Sequence, residues 1–304
     1  MSTIINDSSI RAAFNTFGPY KSPGTDGIYP IHIQKVLTHL LPYLKDIYTH
    51  SLREKHIPRR WLETKAVFIP KPGKDTYDTP KSYRPISLSS FMLKGMERLI
   101  NWHITDNALT VKPLNNNLYS YREGISTENA IHRVLYKIEN ALANGQTAIV
   151  VFLDISGAFS DASIDGMIRS LNTHNVERDI IEWIKYMLLN RTATAHLHGE
   201  KLTRVLDRGT PQGGVLSPTL WNLDINEGLE EMAKDSSTEK HTFADDIADV
   251  AVGIDPHTIV SNLQKDMSKL DTWARSHSLA FNPDKTKMMI FTRKRQINKP
   301  KLSK

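Results

Sequence analysis

The sequence predicts an α+β fold, in which a sheet carries helices packed on one of its faces. The strongest strand signal is the continuous, β-branched run at 147–154, and several other segments repeat their apolar residues with helical spacing. The order strand, helices, strands, helix, acidic hairpin, helix and strand does not alternate as a parallel α/β fold would. With 304 residues, 39% of them hydrophobic and 24% charged, the chain can bury a core in one large domain or two smaller ones.

The first half of the chain contains one clear strand among helices and loops. Ser126 is a suitable N-cap for its last helix, which is expected to end near Gly145. The predicted elements are, in order, an opening helix, a turn-rich loop at 21–30, an amphipathic helix at 31–55, a strand at 65–70, a proline-broken loop at 71–85, and helices at 89–109 and 126–144.

The second half alternates between strands and helices, and its acidic hairpin lies late in the chain. After the strand at 147–154, the sequence predicts helices at 163–171 and 178–189, a hairpin formed by 192–199 and 201–207, a helix at 217–233, short strands on both sides of Asp245, a helix at 257–277 and a strand at 287–292.

Composition excludes several classes of protein. The longest apolar run, at 148–153, is far shorter than the roughly 18 residues of a membrane span, and the first ten residues do not form a signal peptide. We therefore expect an intracellular protein, cytoplasmic or nuclear, with no membrane partner. Because cysteine is absent, any metal must be bound by oxygen or imidazole ligands.

The net charge of +6 is distributed unevenly along the chain. Residues 285–304 carry eight Lys or Arg and no acid, residues 53–98 carry eleven against five acids, and residues 205–255 carry three against eleven. One region therefore favours anions and another favours cations, although solvated helix faces could carry the same imbalance.

Three carboxylates are candidates for one cation site. Asp154 ends the most apolar strand, and Asp245 and Asp246 occupy a predicted hairpin turn. If these strands are neighbours, the three side chains converge, which is unfavourable without a cation. Oxygen ligands without cysteine favour Mg²⁺, and two such ions can promote phosphoryl transfer. The alternative is an ordinary strand-end aspartate and an acidic turn.

Seven segments, in this order, resemble the motifs of reverse transcriptases, and most closely those of the non-LTR (LINE-type) retrotransposons. The resemblance as a whole runs from about Lys21 to about Arg293, which is most of the chain. They are AVFIPKPGKD (66–75), SYRPISLSS (82–90), YREGISTENAI (121–131), DISGAF (154–159), RGTPQGGVLSP (208–218), FADD (243–246) and LAFNPDKTKMMIF (279–291).

The resemblance implies a right-hand polymerase fold with fingers and palm. Residues 1–146 would form the fingers and the connection to the palm, with palm parts possible among them. Residues 147–292 would form the palm, an antiparallel sheet backed by helices, and 293–304 a basic tail. We further expect a largely absent thumb and no endonuclease region before Met1.

The resemblance also implies an RNA-directed DNA polymerase that adds dNTPs to a DNA primer on an RNA template. Asp154 and Asp245 would hold two Mg²⁺ ions, for which Mn²⁺ can substitute, and Asp246 would be a further ligand or an electrostatic partner. Two alternatives stay open at this point: an RNA-templated RNA polymerase, and an inactive remnant that binds RNA. The sequence does not indicate an oligomeric state.

Further residues match positions that bind the incoming nucleotide in this family. Phe159 matches the aromatic steric gate against a ribose 2′-hydroxyl, and Lys71 and Arg84 match residues that grip the triphosphate. An ordinary core phenylalanine and two solvated surface charges are the alternatives.

The glycine-rich motif and the last motif add five more candidates. Gln212 could hydrogen-bond the nucleotide, and Gly213 and Gly214 would let the backbone approach it closely, unless they only form a turn. Either Lys285 or Lys287 could protonate the pyrophosphate leaving group, and the sequence does not decide between them.

Overall fold

The computed structural model describes residues 4–197, 199–234 and 236–295. Its α-helices are α1 (Asp7–Asn15), α2 (Pro30–Glu54), α3 (Arg59–Leu62), α4 (Phe91–His103), α5 (Leu109–Val111), α6 (Thr127–Ala143), α7 (Ile164–Thr173), α8 (Arg178–Leu189), α9 (Ser217–Ala233) and α10 (Pro256–Ser276). Its strands are β1 (Glu63–Pro70), β2 (Tyr83–Leu88), β3 (Thr147–Ser156), β4 (Arg191–Leu197), β5 (Glu200–Leu206), β6 (Glu239–Phe243), β7 (Asp246–Gly253), β8 (Ala280–Phe281) and β9 (Lys287–Phe291).

The chain divides into two compact units, each built from two separate stretches. The first unit contains Met1–Pro113 and Met167–Leu220, and the second contains Leu114–Gly166 and Trp221–Lys304. This division differs from the contiguous boundaries 1–146 and 147–292 expected from the sequence. A division by contacts does not test which stretches act as fingers and palm, so that assignment stays a prediction.

The first unit contains a four-stranded sheet in the order β2-β1-β4-β5. β1 pairs with β2 in antiparallel and with β4 in parallel orientation, while β4 and β5 form the expected hairpin. β2 was not predicted as a strand because it contains Pro85, which has no N–H for a sheet ladder. Its place at the edge of the sheet allows the proline.

The helices of the first unit pack closely at one small residue. Tyr48 of α2 is buried and donates its hydroxyl to the carbonyl oxygen of Met92, at 2.7 Å. A Cβ atom at Gly95 of α4 would lie 2.5 Å from the Tyr48 hydroxyl and 2.8 Å from the ring of Phe14 on α1. Glycine at this position therefore lets α4 pack against α1 and α2.

The second unit contains a five-stranded sheet around the predicted apolar strand. β3 pairs with β7 on one side and with β8 and β9 on the other, and β6 pairs with β7. All of these pairings are antiparallel, as predicted for the palm sheet. β3 is mostly buried, which explains why its sequence is a continuous apolar run rather than an alternating one.

Helices cover both faces of this second sheet. Ala148 and Val150 of β3 form a core cluster with Ile138 of α6. The opposite face carries Asp249, whose neighbour Lys240 forms an ion pair with Asp266 of α10. The expectation of a single sheet with helices on one face was therefore wrong in two respects: there are two sheets, and the second is covered on both sides.

In the described part of the chain, no helix is long and apolar enough to cross a membrane. Of the predicted basic tail at 293–304, residues 296–304 lie outside the described residues.

Candidate functional site

The sheet of the second unit brings the predicted carboxylates to one end of two paired strands. Asp154, near the end of β3, lies directly opposite Asp246, the first residue of β7. Asp245 immediately precedes Asp246 in the turn between β6 and β7. The expected convergence of these strands is therefore present, although Asp154 and Asp245 are 91 positions apart in the sequence.

The turn that carries Asp245 has an unusual backbone conformation. Phe243 and Asp246 face each other across the hairpin, so Ala244 and Asp245 form a two-residue loop. Ala244 has φ of +55°, in the left-handed region that residues with a Cβ atom rarely adopt. A positive φ at the first loop position matches the turns that suit the twist of a hairpin.

The carboxylates repel one another, and this repulsion contributes to a raised pKa of Asp246. Loss of hydration raises the pKa of Asp246, and the negative charges of Asp245 and Asp154 raise it further, while Lys285 acts in the opposite direction. The pKa of the Tyr121 hydroxyl is also raised, first by burial and then by Asp245. The end of the sheet therefore carries an excess of negative charge.

One ammonium group lies directly against these acids. Lys285, in the loop between β8 and β9, donates from Nζ to Oδ1 of Asp154 at 2.7 Å. Lys287 instead lies within β9, opposite Phe152 of β3. The geometry thus distinguishes the two lysines that the sequence left equivalent: in the described part of the chain, Lys285 contacts a predicted carboxylate and Lys287 does not.

The three carboxylates are chemically suitable ligands for a hard divalent cation. Carboxylate oxygens are the ligands that Mg²⁺ prefers, and the excess negative charge that raises the pKa of Asp246 would be relieved by a cation. Within the described residues, no group of three or more His, Cys, Asp or Glu side chains is already arranged as a metal site. The metal-binding role of the three aspartates therefore stays a prediction.

Phe159 lies in a cluster of aromatic rings beside the acidic turn. Its ring centroid is 6.2 Å from that of Tyr121, in an edge arrangement, and 5.9 Å from that of Trp221. The ring is only partly buried, and its role as a steric gate stays a prediction. Trp221 is fully buried and donates its indole N–H to the carbonyl oxygen of Ala244, at 2.9 Å.

The first unit carries the two cations predicted to grip a triphosphate. Lys71 directly follows β1, and its Nζ donates to the carbonyl oxygen of Lys81, at 3.0 Å. Arg84 is exposed on β2, opposite Ile69, and no hydrogen bond or ion pair of its guanidinium is found among the described residues. An exposed guanidinium without a partner is available to bind an anion.

The glycine-rich loop of the first unit packs against the strand that carries Arg84. The backbone N–H of Ser87 donates to the carbonyl oxygen of Gln212, at 2.8 Å. Gly213 has φ of +116°, and a Cβ atom there would lie 3.0 Å from the carbonyl oxygen of Ser87. Glycine is therefore required for the loop to approach β2, and contact with a nucleotide stays a prediction for both residues.

Two buried charges that the sequence did not indicate support this loop. Arg191 donates to the carbonyl oxygens of Arg208 and Gly209, at 3.1 and 2.7 Å, and burial lowers its pKa to about 10. Oε2 of Glu97 accepts from the N–H of Val215, and burial raises the pKa of its carboxyl group. The sequence signal that could have identified Glu97 is that this charged residue interrupts the apolar pattern of α4.

Trp221 and Tyr121 are the other residues near the site that sequence reasoning did not identify. Trp221 follows the helical apolar pattern of α9, which indicates only a core position. Tyr121 has φ of +53°, a backbone conformation that no sequence pattern predicts.

Comparison with known proteins links the chain to one family. The model of the family described as "Reverse transcriptase (RNA-dependent DNA polymerase)" matches residues 69–300. The chain is 30% identical over 284 residues to the probable RNA-directed DNA polymerase from transposon BS of Drosophila melanogaster, covering 90% of this chain and 31% of the relative. It is 27% identical over 222 residues to the Retrovirus-related Pol polyprotein from type-1 retrotransposable element R2 of Popillia japonica, covering 72% and 30%.

The chain thus spans about a third of the length of the curated relatives that it matches. Among solved structures, it resembles an apo telomerase from Candida tropicalis truncated from its C-terminal domain, with a TM-score of 0.53 and 13% identity. The likeness covers 77% of this chain and 51% of that chain, and at this identity it concerns the fold alone.

Proposed function

Because the chain belongs to the reverse transcriptase family, we propose that it is the polymerase part of a non-LTR retrotransposon protein and acts as an RNA-directed DNA polymerase. The family and the structural likeness confirm the right-hand polymerase fold that the sequence predicts. The reaction is nucleotidyl transfer from a dNTP to the 3′-hydroxyl of a primer.

The register of β3 and β7 carries this proposal, because it places Asp154 opposite Asp246, beside Asp245 in the turn. Asp154 and Asp245 would hold two Mg²⁺ ions, with Asp246 as a further ligand or an electrostatic partner. Bound there, the ions supply Lewis acidity for the attacking and leaving oxygens, and Mn²⁺ can take their place. The repulsion that raises the pKa of Asp246 would be relieved by a bound cation, which favours the ionised form of the carboxylates.

Lys285 is the residue proposed to protonate the pyrophosphate leaving group. Its Nζ lies 2.7 Å from Oδ1 of Asp154, so its ammonium reaches the end of the sheet where the reaction would take place. A proton from this group would neutralise charge on the leaving oxygen. Lys287, within β9 and opposite Phe152, makes no such contact among the described residues.

The remaining residues would select and hold the nucleotide. Phe159 would exclude a ribose 2′-hydroxyl by contact with its partly exposed ring. Arg84 and Lys71 would bind triphosphate oxygens through charge-assisted hydrogen bonds. Gln212 and the backbone at Gly213 would contact the nucleotide from the loop that packs against β2.

The partners follow from this chemistry: an RNA template, a DNA primer and dNTPs. Template contacts would depend on phosphate charge and helix shape more than on sequence. The eleven Lys or Arg among residues 53–98 and the basic tail provide the positive charge for such contacts. An intracellular location, cytoplasmic or nuclear, goes with this function.

Primer extension on a primed RNA template tests the proposal. With Mg²⁺ and labelled dNTPs, we expect extension that stops when the metal is chelated and returns when Mg²⁺ or Mn²⁺ is added. Parallel reactions contain rNTPs instead of dNTPs. A preference for rNTPs would support an RNA polymerase, and template binding without extension would support an inactive RNA-binding remnant; either result would contradict the proposal.

A further inference from the structure

The backbone around Asp245 is held from both sides by groups outside its hairpin. The N–H of Ile155 donates to the carbonyl oxygen of Asp245, at 2.9 Å. The indole N–H of Trp221 donates to the carbonyl oxygen of Ala244, also at 2.9 Å. These two carbonyls belong to the two peptide planes that flank the Cα atom of Asp245.

Fixing both planes fixes the direction of the Cα–Cβ bond of Asp245, from which its carboxylate extends. Peptide groups are planar, so a residue has only two soft backbone dihedrals, and these are set by the planes on either side. One plane is tied to β3 directly after Asp154, which keeps the two aspartates in register. The other plane depends on a single side chain, that of Trp221.

The turn requires such support because Ala244 is in the left-handed region, with φ of +55°. A residue with a Cβ atom adopts this conformation only when the surrounding structure enforces it. The Ala244 carbonyl oxygen accepts its bond from an indole that is only 1% exposed. Without that donor, the carbonyl would lose its partner in a partly buried setting, which is unfavourable.

The rest of α9 in this unit keeps the indole in place. The next residue, Asn222, accepts from the hydroxyl of Ser120 and donates to its carbonyl oxygen, at 3.2 and 2.8 Å. The face of the Trp221 ring packs against Phe159, at 5.9 Å between centroids. The indole is thus oriented by contacts that do not involve the acidic turn.

We infer that Trp221 is a positioning residue, whose indole N–H sets the Asp245 carboxylate for cation binding by fixing the Ala244 carbonyl. This role rests on the proposed function in one respect, namely that Asp245 is a metal ligand. Trp221 does not touch the reacting atoms and acts only through the backbone of the turn.

Trp221→Phe removes the N–H and keeps an aromatic ring against Phe159. Trp273→Phe is the matched control, because Trp273 is a buried tryptophan of the same unit whose Nε1 has no hydrogen-bond partner among the described residues. Replacing Trp221 by benzothienylalanine, which keeps the bicyclic ring and lacks the N–H, separates the lost donor from the lost volume.

The first measurement is Mn²⁺ binding to the purified protein, followed by electron paramagnetic resonance. We expect the Trp221→Phe and benzothienylalanine variants to bind Mn²⁺ on the order of tenfold more weakly than the wild type, as is usual when support of a metal ligand is removed. The Trp273→Phe variant should bind like the wild type, and thermal unfolding shows that each variant is folded.

Equal Mn²⁺ affinity in the wild type and the benzothienylalanine variant would overturn the inference, as would a wild type that binds no Mn²⁺. Primer extension is measured separately on the same samples. If the wild type extends no primer but the Trp221 variants bind Mn²⁺ more weakly than the wild type does, the role of Trp221 is supported and the proposed function is refuted. If both variants extend primers with the metal dependence of the wild type, the proposed function is supported and the role of Trp221 is refuted.

Discussion

Phe159 is the residue at which the proposed nucleotide selection and the local packing are most closely joined. Its ring contacts Tyr121 and Trp221 and is partly exposed. Part of the ring therefore contributes to the fold, and the exposed part is free to meet a sugar. A substitution here can affect stability and selectivity, and the two effects have different kinetic signatures.

For Phe159→Val, we expect the preference for dNTPs over rNTPs to fall by a large factor while dNTP incorporation continues. A smaller side chain leaves room for a 2′-hydroxyl, and Phe159 makes none of the hydrogen bonds that hold the backbone at Asp245. The measurement is the ratio of kcat/KM for dNTP and rNTP on one primed template.

Phe291→Val serves as the control for lost volume, since Phe291 packs on the core cluster of α6 and β3. That variant should lower stability and leave the ratio unchanged. A Phe159→Val enzyme that loses both activities in proportion would mean that the ring is structural and not a gate.

At the scale of elements, a buried charge cluster joins β6, β7 and α10. Nζ of Lys240 lies 2.9 Å from Oδ2 of Asp266 and 3.6 Å from Oδ1 of Asp249, and all three side chains are buried. Oδ2 of Asp249 has no hydrogen-bond partner among the described residues. Burial accordingly raises the pKa of Asp249 to about 6, despite the opposing effect of Lys240.

This shift predicts a pH dependence of folding. Because the pKa of Asp249 is higher in the folded protein than its ordinary 3.8, the folded state binds more protons between about pH 4 and 6. The resulting contribution to stability is fully present below about pH 4 and is lost as the pH rises through 6. Two pKa units correspond to on the order of 3 kcal/mol.

Asp249→Asn should remove this dependence. Relative to the variant, the wild type should lose unfolding free energy between pH 4 and pH 7, as measured by urea unfolding. Asp271→Asn, at a half-exposed position of α10 where the aspartate pairs only with the exposed Arg275 among the described residues, is the control and should parallel the wild type. Parallel curves for the wild type and Asp249→Asn would show that Asp249 titrates normally.

Most elements could be predicted from the sequence because their signals are local. Helical spacing, with Ser126 as N-cap, placed α6 correctly, and α8 was predicted with its observed bounds. β8 was missed because two residues show no periodicity, and β2 because of Pro85. The covering of both sheet faces depends on long-range packing, which apolar spacing does not specify.

On the scale of the whole molecule, the predicted site residues fall into two groups. The second unit holds Asp154, Asp245, Asp246 and Phe159, and the first unit holds Lys71, Arg84, Gln212 and Gly213. The motifs in the sequence identified both groups. The supporting residues were not identifiable, because a buried tryptophan or a buried ion pair resembles any other core residue until the backbone it holds is known.

The central claim is that the carboxylates at the end of β3 and β7 carry out metal-dependent DNA synthesis, and Asp245→Asn tests it most directly. The substitution keeps the size of the side chain and removes one of the negative charges that raise the pKa of Asp246. The protein should therefore fold at least as stably as the wild type.

Primer extension on an RNA template should fall by several orders of magnitude in Asp245→Asn, because a ligand that stabilises the transition state is lost. Asp271→Asn should extend primers like the wild type. The measurement is the single-turnover rate of dNTP addition at saturating Mg²⁺, with thermal unfolding of each protein alongside. A folded Asp245→Asn protein that adds dNTPs at a nearly normal rate would contradict the account.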